Sequence, residues 1–542
     1  MHKFVEPHTL KNWLHDDDEI ALFDVREQGQ YGESHLFYAV PLPYSRLELD
    51  VCRLAPRRSV RLVVYDEHQT IAPKAARSLI ALGYTDVHIL EGGTAAWKAV
   101  GYPLFAGVHV PSKTFGELIE EHSHTPSVSA STLFEMLERG DDVVVLDGRP
   151  LSEYHKMTIP GSVCCPNGEL SYRVHDMIDS PNTTIVVNCA GRTRSIVGAQ
   201  TLINLGLPNP VMALENGTQG WYLEDLKLEH GSERRYPDQV SDYGRVAGRA
   251  ASARVAARFN VESVDATAIS RWISSGNCSV FLCDVRTPNE FGSGSLPGAQ
   301  HTPGGQLIQA TDQYIGVRHA KLVLFDDDGC RAPVVASWLK QLGHDAYVLR
   351  DGIESKFSLA ALENIKESAF AGPAVATMNI TTLSARIAAN NIRVLDVRPG
   401  MQFRKSHIPG ATWSIRPSLP AFELFAQGGD VILVGDDATI IALVAKEWTQ
   451  LSPECGARIW QLEGGFSAWT KAQLEVESTP DLPPDAECID YLFFVHDRHD
   501  GNKAAARQYL KWETGLLAQL DQRERDAFNL DAASTEAITK IS

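Results

Sequence analysis

One pattern constrains the fold of this chain more than any other: an apolar segment that ends in Asp-x-Arg occurs four times. The four copies are residues 22–26, 145–149, 282–286 and 395–398. In three of them an apolar-Pro-Gly turn follows, at residues 159–161, 296–298 and 408–410. Self-similarity of this kind indicates that the chain is built from copies of one structural unit.

Each unit continues with a second apolar segment, a helical pattern and a third apolar segment that ends in a glycine-containing turn. The second apolar segments are residues 62–65, 185–188, 322–325 and 431–435. Strands that alternate with helices over roughly 100 residues predict a small parallel sheet with helices on both faces. The fold class is therefore expected to be α/β, with four such domains in tandem.

The repeats also set the expected domain boundaries, which are residues 1–105, 126–231, 260–365 and 375–478. A chain of 542 residues exceeds what one hydrophobic core usually supports. Residues 232–259 carry four arginines at helix-compatible spacing and predict a linker helix. We expect these arginines to form a solvated or interdomain face rather than an anion-binding surface.

Residues 479–542 lie outside the repeats and are predicted to form a C-terminal extension. Within it, the apolar residues 489–495 predict a short strand, and residues 504–520 predict a helix. The extension is expected either to pack on the repeats or to form a subunit contact, such as that of a homodimer.

Composition excludes several classes of function. With 68 acidic and 50 basic residues the formal net charge is −18, which repels phosphate backbones and anionic membranes. Neither nucleic acid nor a membrane is therefore an expected partner. The N-terminus has no signal-peptide pattern and no run of about 18 apolar residues occurs, which predicts a cytoplasmic protein.

Nine cysteines without regular spacing predict reduced thiols rather than a disulfide framework. No CxxC or HExxH motif is present, so the sequence gives no support for a metal site.

The units differ at the C-terminal end of the second strand, the edge at which open parallel sheets bind ligands. The four residues at this position are Asp66, Cys189, Asp326 and Asp436. Only the second unit offers a nucleophile there. The other three units are interpreted as catalytically silent.

Cys189 begins a short loop that leads into a predicted helix. Loop amides and a helix N-terminus favour an anion, and together with nearby cations they favour the thiolate form of a cysteine. Arg192 and Arg194 add two guanidinium groups that can bind an oxyanion in a forked geometry. We therefore predict that Cys189 takes sulfur from a small anionic sulfane donor and passes it to a thiol or cyanide, without a metal or organic cofactor.

The repeated unit resembles the rhodanese domain, and the whole chain resembles the tandem four-domain bacterial rhodanese-type thiosulfate sulfurtransferases over about residues 1–480. The resemblance implies four rhodanese-like domains, a persulfide on the catalytic residue Cys189, and thiosulfate or a related sulfane donor as substrate. It also implies which loop residues bind the substrate. With Ser195 added, the predicted substrate-binding residues are Ala190, Gly191, Arg192, Thr193, Arg194 and Ser195.

Two other functions stay open at this point. The loop Cys-Ala-Gly-Arg-Thr-Arg departs from both thiosulfate-specific and mercaptopyruvate-specific rhodanese loops, so it does not identify the donor. A cysteine-dependent phosphatase or arsenate reductase is one alternative, although Ser195 stands where the phosphate-binding arginine of such loops would be. A non-enzymatic scaffold is the other, because three of the four units lack the cysteine.

Three features near the loop have structural as well as functional interpretations. Vicinal Cys164 and Cys165 could accept sulfur or resolve a mixed disulfide, but packing is favoured. Asp147 and Arg149 are expected to form a structural ion pair, because their counterparts recur in the units without the cysteine. Arg173 and the tyrosine before it are expected either to contact substrate or to belong to a surface loop.

Overall fold

The computed structural model describes residues 2–356, 372, 374–496 and 501–530. These residues form four five-stranded sheets, and every strand pair in them is parallel. Each sheet has the same order, in which the first strand of the domain pairs with the fifth, followed by the fourth, the second and the third. The predicted fold class, four tandem α/β domains, is confirmed.

Domain 1 packs helices on both faces of its sheet and is followed by a connecting helix, α6. Its elements are β1 Lys3–Val5, α1 Pro7–Trp13, β2 Ile20–Asp24, α2 Gln28–Glu33, β3 Val40–Pro41, α3 Leu47–Leu54, β4 Arg61–Tyr65, α4 Ala72–Ala81, β5 Val87–Leu90, α5 Gly93–Ala99 and α6 Val110–Ser123.

Domain 2 repeats this plan. Its elements are β6 Ser127–Val128, α7 Ala130–Arg139, β7 Val143–Asp147, α8 Leu151–Lys156, β8 Val163–Cys164, α9 Leu170–Arg173, β9 Thr184–Asn188, α10 Thr193–Leu205, β10 Val211–Leu214 and α11 Gly217–Leu223. Local sequence sets the helix ends: the Ser129 hydroxyl caps α7, and α10 ends at Gly206, whose φ of 78° favours glycine.

Domains 3 and 4 follow after a linker helix, α12 Asp242–Arg258. The elements of domain 3 are β11 Glu262–Val264, α13 Ala266–Ser275, β12 Val280–Asp284, α14 Pro288–Ser293, β13 Gln300–His301, α15 Gly304–Gln309, β14 Lys321–Phe325, α16 Arg331–Gln341 and β15 Asp345–Leu349. Those of domain 4 are β16 Ala376–Met378, α17 Ile380–Ala388, β17 Ile392–Asp396, α18 Gly400–Lys405, β18 Thr412–Trp413, α19 Phe422–Ala426, β19 Asp430–Val434, α20 Ala438–Leu451, β20 Ile459–Leu462 and α21 Gly465–Lys471.

The Asp-x-Arg motif forms the same buried ion pair at the end of the second strand of every domain. In domain 2 the Arg149 guanidinium lies 2.7 Å from the Asp147 carboxylate and also donates to the Met157 carbonyl. Equivalent pairs in the other domains join Asp24 to Arg26, Asp284 to Arg286 and Asp396 to Arg398. The expectation of a structural ion pair is confirmed.

The linker helix is shorter than predicted. It begins at Asp242 rather than at residue 232, because the preceding stretch runs along domain 2, where the Cys164 amide donates to the Arg234 carbonyl. Two of its arginines bind carbonyl groups of the flanking domains: Arg249 that of Asp328 in domain 3, and Arg254 that of Leu205 in domain 2. They therefore form an interdomain face, as expected.

The strand predicted at residues 489–495 is wrong. In the described part of the chain this segment joins none of the four sheets, and it continues instead into a single helical turn, α22 Phe493–His496. Two further helices follow, α23 Lys503–Thr514 and α24 Gln522–Asp526. None of the helices in the described ranges is long and apolar enough to cross a membrane.

The extension packs on the repeats and contacts all four of them. The Gly400 amide of domain 4 donates to the Asp490 carboxylate at 2.8 Å. The Gly29 amide of domain 1 donates to the Ile489 carbonyl at 2.8 Å. Near the end of the extension, Glu524 pairs with Lys11 of domain 1, and the Asn529 amide donates to the Gln341 carbonyl of domain 3. Between these points α23 lies against domain 2.

Candidate active site

The loop that carries Cys189 is held at both ends by backbone hydrogen bonds. Strand β9 ends at Asn188, whose side-chain amide donates to Asp147, and α10 begins at Thr193. The Thr218 amide donates to the Cys189 carbonyl at 2.8 Å. A Cβ atom at Gly217 would lie 2.2 Å from that carbonyl oxygen, so only glycine permits this close approach.

The loop leaves a row of amide donors open. Among the residues that the structure describes, none accepts a hydrogen bond from the backbone N–H groups of residues 190–195. The Cys189 side chain is 2% exposed, and its Sγ accepts a hydrogen bond from the Ser195 hydroxyl at 3.0 Å. Open amides at the start of a helix form a site for an anion.

In domains 1 and 3 an aspartate occupies the equivalent loop. The Asp66 carboxylate accepts hydrogen bonds from the amides of Gln69, Ile71 and Ala72. The Asp326 carboxylate accepts from the amides of Gly329 and Ala332. These domains therefore fill the anion position with a side chain of their own, whereas domain 2 leaves it open.

A cavity of about 520 Å³ opens over Cys189, and residues from four parts of the chain line it. Domain 2 contributes Arg149, Glu153, Lys156, Met157, Cys189, Ala190, Gly191 and Arg194. The rest of the lining is Val108, His109 and Lys113 at α6, Gln306, Gln309, Ala310 and Gln313 of domain 3, and Tyr491, Val495, His496 and Tyr509 of the extension. The candidate site is therefore composite, that is, formed by residues of domain 2, α6, domain 3 and the extension together. The sequence did not predict this.

The two loop arginines have different positions. Arg194 lines the cavity, where its guanidinium donates to both carboxylate oxygens of Glu153 at 2.8 Å. Burial alone would lower the pKa of Arg194, but the Glu153 carboxylate outweighs burial and raises it. Arg192 does not line the cavity: its guanidinium bonds Glu117 and Glu120 of α6. The predicted pair of guanidinium groups beside Cys189 is thus reduced to one.

The remaining predicted substrate-binding residues also fall into two groups, those that line the cavity and those that do not. Ala190 and Gly191 line the cavity, whereas Thr193 and Ser195 do not. The Thr193 hydroxyl donates to the Glu513 carboxylate of the extension at 2.8 Å. Ser195 contacts Sγ itself, from the protein side of the loop.

Two neighbouring features prove to be structural. Arg173 is buried, lies 3.1 Å from the Glu169 carboxylate and donates to two backbone carbonyls, so it neither lines the cavity nor belongs to a surface loop. Cys164 and Cys165 are both fully buried, and burial raises the pKa of the Cys164 thiol to about 12. Both cysteines pack in the interior, as favoured.

Comparison with known proteins agrees with this architecture. The rhodanese-like domain model matches residues 6–100, 129–224, 265–356 and 379–472. The structure of a thiosulfate sulfurtransferase from Pseudomonas aeruginosa superposes with a TM-score of 0.88 and 38% sequence identity, covering 97% of this chain and 99% of that one.

Shorter relatives match single domains. The thiosulfate sulfurtransferase GlpE of Coxiella burnetii is 31% identical over 81 residues, which are 15% of this chain and 74% of that protein. The protein slr1261 of Synechocystis is 31% identical over 107 residues, which are 20% of this chain and 58% of that protein. The chain thus spans a little over half the length of slr1261. With four family matches that coincide with four sheets of one topology, this chain belongs to the family of rhodanese-like domain proteins.

Proposed function

We propose that this protein is a sulfurtransferase that moves sulfane sulfur from thiosulfate or a related donor to a thiol or cyanide through a persulfide on Cys189. The observation that carries the proposal is that domain 2 has a cysteine at the loop position where domains 1 and 3 have an aspartate. Where Asp66 and Asp326 place a carboxylate against the loop amides, domain 2 places a thiol and leaves the amides open.

The first step needs a nucleophile at the base of a pocket that accepts an anion. The Cys189 thiolate attacks the outer sulfur of the donor, so that a bond forms between Sγ and that sulfur. The S–S bond of the donor breaks, and its electron pair leaves on sulfite when the donor is thiosulfate. The open amides of residues 190–195 are the groups available to stabilise the negative charge of the terminal persulfide sulfur.

Charge at the cavity wall supports a small anionic donor. Arg149, Lys156 and Arg194 line the cavity on the side of domain 2, and Lys113 lines it from α6. Glu153 is the carboxylate among the lining residues, and both of its oxygens accept hydrogen bonds from Arg194. Arg149 is likewise paired with Asp147, and Lys113 with Glu513. Lys156 is exposed and has no ion pair among the described residues, so its charge favours entry of a sulfur oxyanion.

The decisive experiment follows the covalent intermediate. After exposure to thiosulfate, the mass of the wild-type peptide containing Cys189 should increase by one sulfur atom, and addition of cyanide should release thiocyanate. Cys189→Ser should lose the added mass and reduce thiocyanate formation by about 10³-fold or more. Cys278→Ser is the matched control, because Cys278 is a half-buried thiol of domain 3 outside the cavity.

Other results would contradict the proposal. Turnover of p-nitrophenyl phosphate by the wild type, abolished in Cys189→Ser, would indicate the phosphatase alternative. Neither reaction, with no mass added to Cys189 by any sulfane donor, would indicate the scaffold.

A further inference from the structure

A histidine that lines the cavity containing Cys189 pairs with an aspartate of domain 3 that lies outside this cavity. His109 lies just before α6, and its Nδ1 is 2.6 Å from Asp312 Oδ1 of domain 3. Gln313 Nε2 lies 3.3 Å from His109 Nε2. With the ring proton on Nδ1, the imidazole donates to the carboxylate, and its Nε2 lone pair accepts the hydrogen bond from the Gln313 amide, which an acceptor thiol has to replace. This is the arrangement of a base oriented by a carboxylate.

Two unfavourable features coincide at this pair. Asp312 Oδ2 is buried and has no hydrogen-bond partner in the described part of the chain, which is costly for a carboxylate oxygen. His109 has a left-handed backbone, with φ of 56° and ψ of 38°, which costs a residue with a side chain roughly 1–2 kcal/mol. Strain of this kind concentrates at functional sites, and here it belongs to a residue that lines the cavity.

We propose that His109, oriented by Asp312, is the general base that activates a thiol acceptor in the second half-reaction. This inference rests on the proposed sulfur transfer and adds to it a group from outside the catalytic domain. A thiol attacks poorly until it is ionised, whereas sulfite is already an anion at neutral pH and needs no base.

The step is balanced as follows. His109 Nε2 takes the proton of the acceptor thiol, and the acceptor sulfur attacks the terminal sulfur of the Cys189 persulfide. A new S–S bond forms on the acceptor, the bond between Cys189 Sγ and the terminal sulfur breaks, and its electron pair returns to Sγ as the thiolate. The imidazolium then gives the proton to the terminal sulfur, so that the acceptor leaves as a neutral persulfide.

The surroundings of His109 suit this role. Lys113 of α6 lines the same cavity, and its amide donates to the His109 carbonyl at 2.9 Å. Glu153, the lining carboxylate, is engaged on both oxygens by Arg194 and is a poor competitor for the proton. Toward domain 1, His109 also lines a second cavity of about 520 Å³, which His301 lines from domain 3.

The test separates the two half-reactions of the full-length protein. Cys189 is first loaded with sulfur from thiosulfate, and its discharge is then timed with an alkyl thiol, an aryl thiol that is ionised at neutral pH, and sulfite, which is an anion at that pH. In His109→Gln we expect unchanged loading, discharge to the alkyl thiol slower by about 10²–10⁴-fold, and unchanged discharge to sulfite. The rate of discharge to the aryl thiol should fall little, because this thiol is already ionised.

Two further variants complete the design. Asp312→Asn should show the same acceptor selectivity with a smaller loss, since it disturbs only the orientation of the imidazole. His301→Gln is the matched control and should discharge to all three acceptors at the wild-type rate, because His301 lines the second cavity only.

Equal losses with all acceptors, or no loss with the alkyl thiol, would overturn the role of His109. If Cys189→Ser behaves as expected while His109→Gln does not, only this inference fails. If the wild type never forms a persulfide, the proposed function fails first.

Discussion

The residue that follows the fourth strand of domains 1, 2 and 3 determines whether the amides of the next loop have an acceptor within the same domain. In domains 1 and 3 the aspartate accepts hydrogen bonds from loop amides that would otherwise have no acceptor. A hydrogen bond to a charged group contributes about 1.5–3 kcal/mol, so these aspartates stabilise their own domains. Cys189 makes no such contribution to domain 2, and its loop is left ready for an external anion.

This difference predicts that the same truncation to alanine destabilises domain 1 more than domain 2. Asp66→Ala removes the acceptor of three amides and should destabilise domain 1 by about 1.5–3 kcal/mol. Cys189→Ala removes only a small buried side chain and should cost about 1 kcal/mol. Thermal unfolding and hydrogen exchange measure the two effects, and the amides of Gln69, Ile71 and Ala72 should exchange faster in Asp66→Ala. Equal effects of the two substitutions would show that the aspartate does not stabilise its loop.

Two helices from outside domain 2 hold the loop that follows Cys189. Helix α6 binds Arg192 through Glu117 and Glu120, and a Cβ at Gly116 would lie 2.7 Å from the Thr193 side chain. Helix α23 binds Thr193 through Glu513. A displacement of catalytic groups by about 1 Å can reduce a rate by about 10²-fold, so contacts of this kind matter for catalysis without touching substrate.

A double-mutant cycle tests whether Arg192 positions the loop. Arg192→Met and Glu117→Gln should each lower kcat by roughly 10- to 100-fold with little change in the KM for thiosulfate. The double variant should be no worse than the more damaged single variant, because the two residues act through one contact. Arg194→Met, which removes a cavity-lining charge, should instead raise the KM. A raised KM in Arg192→Met with additive losses would restore Arg192 as a substrate-binding residue.

The elements of each domain could be predicted because their signals are local. The runs that end at Asp24, Asp147, Asp284 and Asp396 are continuous apolar segments, as expected for strands covered on both faces. Residues 489–495 have the same apolar character, but an apolar segment can also be buried without joining a sheet. In the fold this segment is buried by Leu492 against Gly32 of domain 1 and pairs with no sheet.

The composite part of the site could not be predicted in the same way. Cys189 and Arg194 belong to one short loop motif, so the sequence alone predicts that they lie at the same site. Asp312 is separated from His109 by 203 positions, and Glu513 from Thr193 by 320. No periodicity or motif connects residues at such distances, and only the packing of domain 3 and the extension on domain 2 brings them into contact.

That packing depends on a buried ionic network between domains 2 and 3. Arg331 is 0% exposed and lies within 3.0 Å of four carboxylates: Glu169 of domain 2, and Glu290, Asp327 and Asp328 of its own domain. Beside it, Gly168 and Gly305 touch so closely that a Cβ at Gly168 would lie 2.6 Å from the Gly305 amide nitrogen. This contact sets the position of α15, which carries part of the cavity wall.

A charge that lines no part of the cavity should therefore control access to it. Arg331→Met leaves the four carboxylates without their common partner, and breaking a buried pair of this kind costs about 3–5 kcal/mol. We expect Tm to fall by roughly 5–15 °C, thiocyanate formation to decrease, and alkylation of Cys189 by iodoacetamide to accelerate as the wall from domain 3 loosens. Arg271→Met, on the exposed side of α13, is the matched control and should change none of these. An Arg331→Met protein with a lowered Tm but wild-type alkylation and turnover would show that domain 2 forms its site without domain 3, and that the composite cavity is not required for sulfur transfer.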